Sequence, residues 1–261
     1  MNITLNATLA AVTAWEAEPG NLHIVYEDEH LLVVDKPSNC VVHPAAGNNQ
    51  GTLVNHVLAH CPDNAELPRG GIVHRLDKDT TGLMVVAKTL SAHHSLVQQL
   101  QSRSVSRGYR AIVEGHLISG GSVDIRIGRH NQSRKKMAAY RNETNQGKTA
   151  ITHYRIATRF RHFTELKLQL ETGRTHQIRV HMAHIKHPLL GDKTYNPRYR
   201  RPPGVSEQLN TALLRFPRQA LHAAELKLLH PASGELCEFH APLPADYAAI
   251  QTLLQHDSNE E

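Results

Sequence analysis

The chain has 261 residues, enough at roughly 100–200 residues per domain for one large domain or two small ones, each with a real core. Its 29 Lys and Arg against 24 Asp and Glu leave a formal charge of +5, and 20 histidines add positive charge below neutrality, a balance that suits a polyanionic partner without requiring one. No run approaches the roughly 18 uncharged apolar residues of a membrane-spanning helix, Met1-Asn2-Ile3-Thr4 has neither the basic nor the apolar part of a leader, and the three widely spaced cysteines (Cys40, Cys61, Cys237) make no disulfide framework, which points to the reducing cytoplasm.

Residues 1–21 hold a short alternation, Ile3-Thr4-Leu5-Asn6-Ala7, then the acidic Glu16-Ala17-Glu18-Pro19-Gly20, and read as an end-piece or linker. A folded domain is expected over 22–255. It starts with two short strands, His23–Tyr26 and Leu31–Val34, around the acidic turn Glu27-Asp28-Glu29. Leu53, Val54, Val57, Leu58 and Cys61 share one face at helical spacing, which predicts a helix over Thr52–Cys61. A second helix is predicted from Ser91, as N-cap, to Gln101, with Leu96, Val97 and Leu100 inward. Period-two strands follow at Tyr109–Val113, Val123–Ile127, Thr152–Ile156 and, most clearly, where Leu166, Leu168 and Leu170 alternate with Lys167, Gln169 and Glu171. A helix starting near Thr175 puts Ile178, Met182 and Ile185 on one side, a last helix runs from Ala245 to about Leu254, and 256–261 is expected to be a disordered acidic tail. Strands that follow one another with only a few helices between them give an α+β class with a mixed, mostly antiparallel sheet.

Two segments carry chemistry. Gly71-Ile72-Val73-His74-Arg75-Leu76-Asp77-Lys78-Asp79-Thr80-Thr81-Gly82-Leu83-Met84-Val85-Val86-Ala87-Lys88 places a charged loop between two apolar strands. Composition alone favours a solvated turn there. A carboxylate at such a loop, with Arg75 two residues before it and a further cation from elsewhere, would nevertheless be held ionised and aimed, as a carboxylate nucleophile requires. In the second segment, Glu171-Thr172-Gly173-Arg174-Thr175-His176-Gln177-Ile178-Arg179-Val180-His181-Met182, Gly173 permits a tight turn, Thr175 can cap a helix, and Arg179 lies one turn on, near the same face; an ordinary salt-bridged surface is the plainer alternative. Basic residues also cluster at Arg126, Arg129, Arg134, Lys135, Lys136 and Arg141, and at Arg198, Arg200 and Arg201 beside Tyr195 and Tyr199. Such groups can neutralise phosphates and offer rings to unstacked bases, or simply solvate a loop.

His74-Arg75-Leu76-Asp77 with Thr80-Thr81-Gly82-Leu83, and Thr172-Gly173-Arg174-Thr175-His176-Gln177-Ile178-Arg179-Val180-His181 about a hundred residues later, resemble the RluA family of pseudouridine synthases, closest to its RluD branch. The resemblance runs from about Val25 to Tyr247 and takes in Tyr26-Glu27-Asp28, Asp35-Lys36-Pro37, Val42-His43-Pro44, Tyr109-Arg110-Ala111, Gly191-Asp192 and Leu221-His222-Ala223. It implies an extended mixed sheet with a central cleft, Asp77 as the catalytic aspartate, Arg179 as its ion-pair partner, and Tyr109 as the ring under the target uracil. It further implies that Arg75 reaches into the RNA helix and that no metal or organic cofactor is used. His74, Arg129, Arg134, Lys135, Lys136, Arg174 and His176 are added as candidate RNA contacts. The activity implied is isomerisation of uridine to pseudouridine in structured RNA, a large-subunit rRNA stem-loop in the helix 69 region, by a monomer that needs no membrane; a tRNA or another rRNA site is the alternative. Proteins of this branch commonly carry an S4 RNA-binding domain ahead of the catalytic one. Here the Ile3–Ala7 alternation resembles only its last strand and linker.

Two other classes compete. His176, His181, His184 and His187 invite a metal-dependent hydrolase, but their spacings of five, three and three lack the i,i+4 pair that puts two ligands on one helical face. A non-catalytic RNA-binding protein on the same fold predicts loss of Asp77 or Tyr109, and both are present.

Overall fold

A computed structural model describes residues 15–44, 48, 50–133 and 135–259. The Ile3–Ala7 alternation, Arg134 and the last two residues of the expected tail lie outside them. The edge hairpin is β1 (Ile24–Glu27) and β2 (Leu31–Lys36), turned by Asp28, whose Oδ1 accepts the His30 and Leu31 N–H groups. β2 pairs antiparallel with β3 (Thr81–Ala87), every residue of which is buried. A strand covered on both faces reads as continuous apolar sequence, and Leu83-Met84-Val85-Val86-Ala87 does. On the other side β3 runs parallel to β10 (Leu221–Leu229) at His222 and Ala223. Gly82 permits this approach: its φ is +114°, and a Cβ there would collide with the Ala223 carbonyl oxygen. Antiparallel pairing continues through β4 (Ser106–Glu114), β9 (Phe163–Leu170), β8 (Ile151–Arg159) and β5 (Gly121–Asp124), while β11 (Leu236–His240) pairs with β10 and β6 (Arg126–Arg129) forms a separate hairpin with β7 (Met137–Tyr140). This is the mixed, mostly antiparallel α+β sheet that the sequence predicts.

Alternation sorts the core to two faces. Leu32, Val34, Met84, Val86, Tyr109, Ala111, Leu166 and Leu168 pack with α1 (Leu53–His60) and α3 (Gln177–His184). On the opposite face Leu31, Val33, Leu83 and Val85 meet Ala92 and Leu96 of α2 (Leu90–Gln101), and Ile112, Phe160 and Phe163 meet α4 (Glu207–Arg215) and α5 (Ala245–Asn259). Below this second cluster Glu165, fully buried, accepts from Arg110, Tyr247 and Gln251. Among the described residues no helix is long and apolar enough to cross a membrane.

Several boundaries differ from the sequence reading, each for a local reason. α2 is capped by Thr89, whose Oγ1 accepts the Ala92 N–H, and not by Ser91. The segment before the Asp77 loop is not a strand: Gly70 and Gly71 have positive φ inside 3₁₀ turns, and only Ile72 bridges to Val86. The expected strand Val123–Ile127 breaks at Ile125, where the chain leaves the main sheet for the β6–β7 hairpin. α5 extends to Asn259, so residues 256–259 are not a frayed tail; Asp257 is buried and Ser258 Oγ accepts the Arg161 N–H. The segment expected as a linker is strapped to α1 over 15–21, where Asn55 donates to the Glu16 carbonyl at 2.7 Å, the Glu18 N–H donates to the Asn55 carbonyl and Trp15 packs on the core. α4 is an addition to the elements that the sequence predicts, capped by Ser206, whose Oγ accepts the Leu209 N–H.

Candidate active site

Asp77 stands in the irregular segment before β3, in a turn closed by the Thr80 N–H donating to the Asp77 carbonyl. Two buried cations hold this segment from behind. Lys36, fully buried at the end of β2, donates to the carbonyls of Pro37, Cys40 and Lys78 at 2.7, 3.0 and 3.0 Å; burial lowers its pKa to about 8. Arg218 grips Asp246 with two nitrogens at 2.7 and 2.8 Å and also donates to the Asp79 carbonyl. The main chain just after Asp77, at Lys78 and Asp79, is thereby tied to elements remote in sequence.

In front of it lies a cleft of about 600 Å³ lined by Arg75, Tyr109, Arg107, Arg174 and His176 among others. The Arg179 Nη1 donates to Asp77 Oδ2 at 3.0 Å. Two further donors go to Asp192, which is fully buried: Nε to Oδ2 at 2.7 Å and Nη2 to Oδ1 at 2.9 Å. Asp192 Oδ1 also accepts the Thr194 and Tyr195 N–H groups. Burial by itself would weaken the Arg179 charge, but the hydrogen bonds and charge of Asp192, and the Asp77 charge, more than offset it and keep the guanidinium firmly protonated. The Tyr195 ring covers the guanidinium at 5.2 Å. Arg179 is thus a fixed cation shared by two carboxylates, one buried and structural, the other facing the cleft.

α3 starts at Gln177, later than the predicted Thr175, because its cap is His176 in the left-handed region at φ 56°. Gln177 closes the turn: its Oε1 accepts the Thr172 hydroxyl and the Arg174 N–H, and its Nε2 donates to the Ile151 carbonyl and Thr152 Oγ1. His176 Nδ1 is 2.8 Å from the Tyr195 hydroxyl. That hydroxyl accepts the Met137 N–H of β7, which directs its own proton to the imidazole. His176 Nε2 lies 3.9 Å from Asp77 Oδ1, beyond a direct hydrogen bond, and burial depresses its pKa. The β6–β7 hairpin is consequently linked through the Tyr195 hydroxyl to the His176 cap of α3.

Tyr109 sits on β4 in the cleft, 7% exposed, and burial raises its phenol pKa. Arg75 is exposed at the cleft and Arg174 lines it while donating Nε to the Thr149 carbonyl. His74 lines the cleft and also has a structural bond. Its Nε2 accepts the Val85 N–H of β3 at 3.0 Å, and burial followed by the Arg107 charge lowers its pKa to about 3, so this neutral ring pins the loop to the sheet. Arg129 and Lys135 are exposed on the hairpin, and Lys136 is half-buried there.

The four histidines proposed for a metal are dispersed. His181 is fully buried between Thr152 Oγ1 and the Ile125 carbonyl, His187 bonds the Glu114 carbonyl, and His176 faces Tyr195. Among the described residues the one cluster with ligand-like spacing is Glu27, His60 and Cys61, outside the cleft, where Lys88 already pairs with Glu27 at 2.7 Å. The residues that sequence reading left without a role are Lys36, Arg107, Asp192 and Arg218, while Tyr195, read as a ring for unstacked bases, is found against Arg179 and His176. Asp192 is 13 residues beyond Arg179, across a helix end and a turn, and no local spacing rule pairs them.

The family model described as RNA pseudouridylate synthase matches residues 30–184. Among relatives, a protein of Pseudomonas aeruginosa named ribosomal large subunit pseudouridine synthase D is 56% identical over 255 residues, covering 98% of this chain and 78% of that one. A protein of the same name from Escherichia coli is 51% identical over 258 residues, covering 99% and 78%. Of solved structures, human RNA pseudouridylate synthase domain containing 4 matches with a TM-score of 0.70 at 27% identity over 89% of this chain and 92% of its own, and the human domain containing 1 protein with 0.65 at 26% over 90% and 97%. The shared sequence spans the strands and the helix that bring Asp77, Tyr109 and Arg179 to one cleft, and the chain belongs to the RluA-type RNA pseudouridine synthases.

Proposed function

We propose that this protein converts uridine to pseudouridine in a stem-loop of large-subunit rRNA, in the helix 69 region, with Asp77 as the nucleophile. The observation that supports this reading most directly is the Arg179 guanidinium, 3.0 Å from Asp77 and locked by Asp192, at the inner end of a cleft that also presents Tyr109. A carboxylate so fixed can attack C1′ of a uridine lifted from its stack. The N1–C1′ bond breaks with its electron pair leaving on the uracil. The base turns, C5 bonds to C1′ and displaces the carboxylate, C5 gives up its proton, and N1 ends protonated. Atoms and charge balance with no redox partner. Tyr109 supplies a face for the base, worth roughly 1–3 kcal/mol in stacking. Arg75, Arg174 and the Lys135 and Lys136 hairpin supply cations for the phosphates. Unstacking is least costly in a loop, a few kcal/mol, which favours a stem-loop over a duplex. The relatives' names carry the rRNA assignment.

The test is Asp77→Asn, which keeps shape and removes charge. Against 23S rRNA from cells lacking the enzyme, the parent should form pseudouridine, while the variant should bind the RNA and form none. Turnover by the variant refutes the nucleophile assignment. Pseudouridine appearing only in tRNA refutes the substrate and leaves the chemistry standing.

A further inference from the structure

Arg107 lies on β4 two residues before Tyr109, so the two side chains leave the same face of the strand about 7 Å apart. Both line the cleft. Of the other cleft arginines, Arg179 pairs with Asp77 and Asp192, Arg103 with Glu171, and Arg174 donates to the Thr149 carbonyl, while Arg75 is exposed to solvent. Among the described residues no carboxylate pairs with Arg107, and its Nε is buried with no acceptor. An unsatisfied buried donor is costly, more so on a charged group, and the guanidinium fork matches a bidentate oxyanion.

The second observation is Gly173. A Cβ at that position would lie 2.7 Å from Arg107 Nη1, although the glycine does not adopt a positive φ. The absent side chain therefore serves space and not backbone freedom: the turn leading to α3 leaves room for the Arg107 guanidinium to lie along the cleft wall.

We propose that Arg107 binds a phosphodiester flanking the flipped uridine, holding the nucleotide while its base rests on Tyr109. The inference builds on the proposed uridine isomerisation in this cleft. A phosphate suits the position better than a uracil carbonyl, because a half-buried cation with no protein counter-charge is neutralised by an anion and not by a neutral acceptor, and every flipped nucleotide brings a phosphate on each side.

The experiment uses the full chain and a synthetic rRNA stem-loop with either linkage flanking the target uridine made neutral as methylphosphonate. On the parent, the neutral linkage at one flank should lower kcat/KM about tenfold or more. Arg107→Ala on all-phosphate RNA should lose a similar factor, mostly in KM, and the two changes together should lose no more than one of them. Arg107→Lys, which keeps a point charge, should recover part of the loss. Melting curves confirm that the variants fold, and if the alanine form does not, Arg107→Lys and the linkage series on the parent decide. Losses that multiply, an Arg107→Ala enzyme equal to the parent, or indifference of the parent to both linkages would each overturn the phosphate assignment. A parent that forms no pseudouridine in the unmodified stem-loop would instead refute the isomerisation reading and this inference with it.

Discussion

Replacing Asp192 with Asn tests how the cleft cation is held. The carboxylate serves four donors: Oδ1 takes Arg179 Nη2 and the Thr194 and Tyr195 N–H groups, and Oδ2 takes Arg179 Nε. An amide has one oxygen, and the best position for it is where three donors converge. Its NH₂ then faces the Arg179 Nε–H, donor against donor, and the buried counter-charge is gone. Losing one partner of a buried pair costs about 3–5 kcal/mol. Here Asp77 remains as a second carboxylate and three of the four bonds survive, which brings the expected loss nearer the 1.5–3 kcal/mol of one charge-assisted bond. At roughly 2–4 °C per kcal/mol for a domain of this size, Tm should fall by about 3–12 °C. The functional loss should be larger in proportion, because Arg179 is no longer fixed under Asp77 and a misplacement of about 1 Å can cost on the order of 10²-fold in rate. Thermal melts and single-turnover pseudouridine formation at saturating RNA read the two effects, and affinity for RNA should be nearly unchanged. A variant with parental Tm and parental kcat would show that Asp192 neither stabilises nor aims Arg179.

Three further outcomes follow from the same structure. Tyr109→Ala should weaken the productive complex by roughly 1–3 kcal/mol, while Tyr109→Phe should retain binding, and full turnover by the phenylalanine form would deny the hydroxyl a catalytic role. Burial lowers the His181 pKa to about 4, so the unfolded chain takes up a proton near pH 6.5 that the folded chain resists; this stability is present above about pH 6.5 and is lost as pH falls towards 4, and His181→Gln should flatten that part of a Tm-against-pH curve, an unchanged slope counting against the assignment. Lys135→Ala with Lys136→Ala should reduce the steepness with which RNA affinity falls with salt by about one to two phosphate contacts, leaving turnover at saturating RNA intact; an unchanged slope would remove the hairpin from the interface.

The parts legible in the chain are those that local rules govern. Leu166, Leu168 and Leu170 alternate with polar neighbours and form β9, since a strand with one face on the core must repeat every two residues. Thr52 to Cys61 reads as a helix for the corresponding reason at a period of 3.6. The two charged motifs placed Asp77 and Arg179 in the candidate site, and their order in the chain carried the family resemblance. The cap of α3 escaped the reading because a left-handed His176 is tolerated only where Gln177 and Tyr195 hold the turn, and both act through partners distant in sequence. The bond of His74 was not legible in its motif, because only the packed sheet supplies the Val85 N–H that its neutral ring accepts. Asp192, Lys36 and Arg218 stayed without roles for the same reason: each satisfies groups brought near by the sheet and not by spacing. Sequence by itself therefore determined most of the strands and helices and which two motifs carry the chemistry, because propensity and periodicity are properties of neighbours along the chain. Tertiary structure decided which charges meet, since the pairing of Arg179 with Asp77 across 102 residues and the buried Arg107 Nε that no protein acceptor meets depend on where the folded chain places its counter-charges.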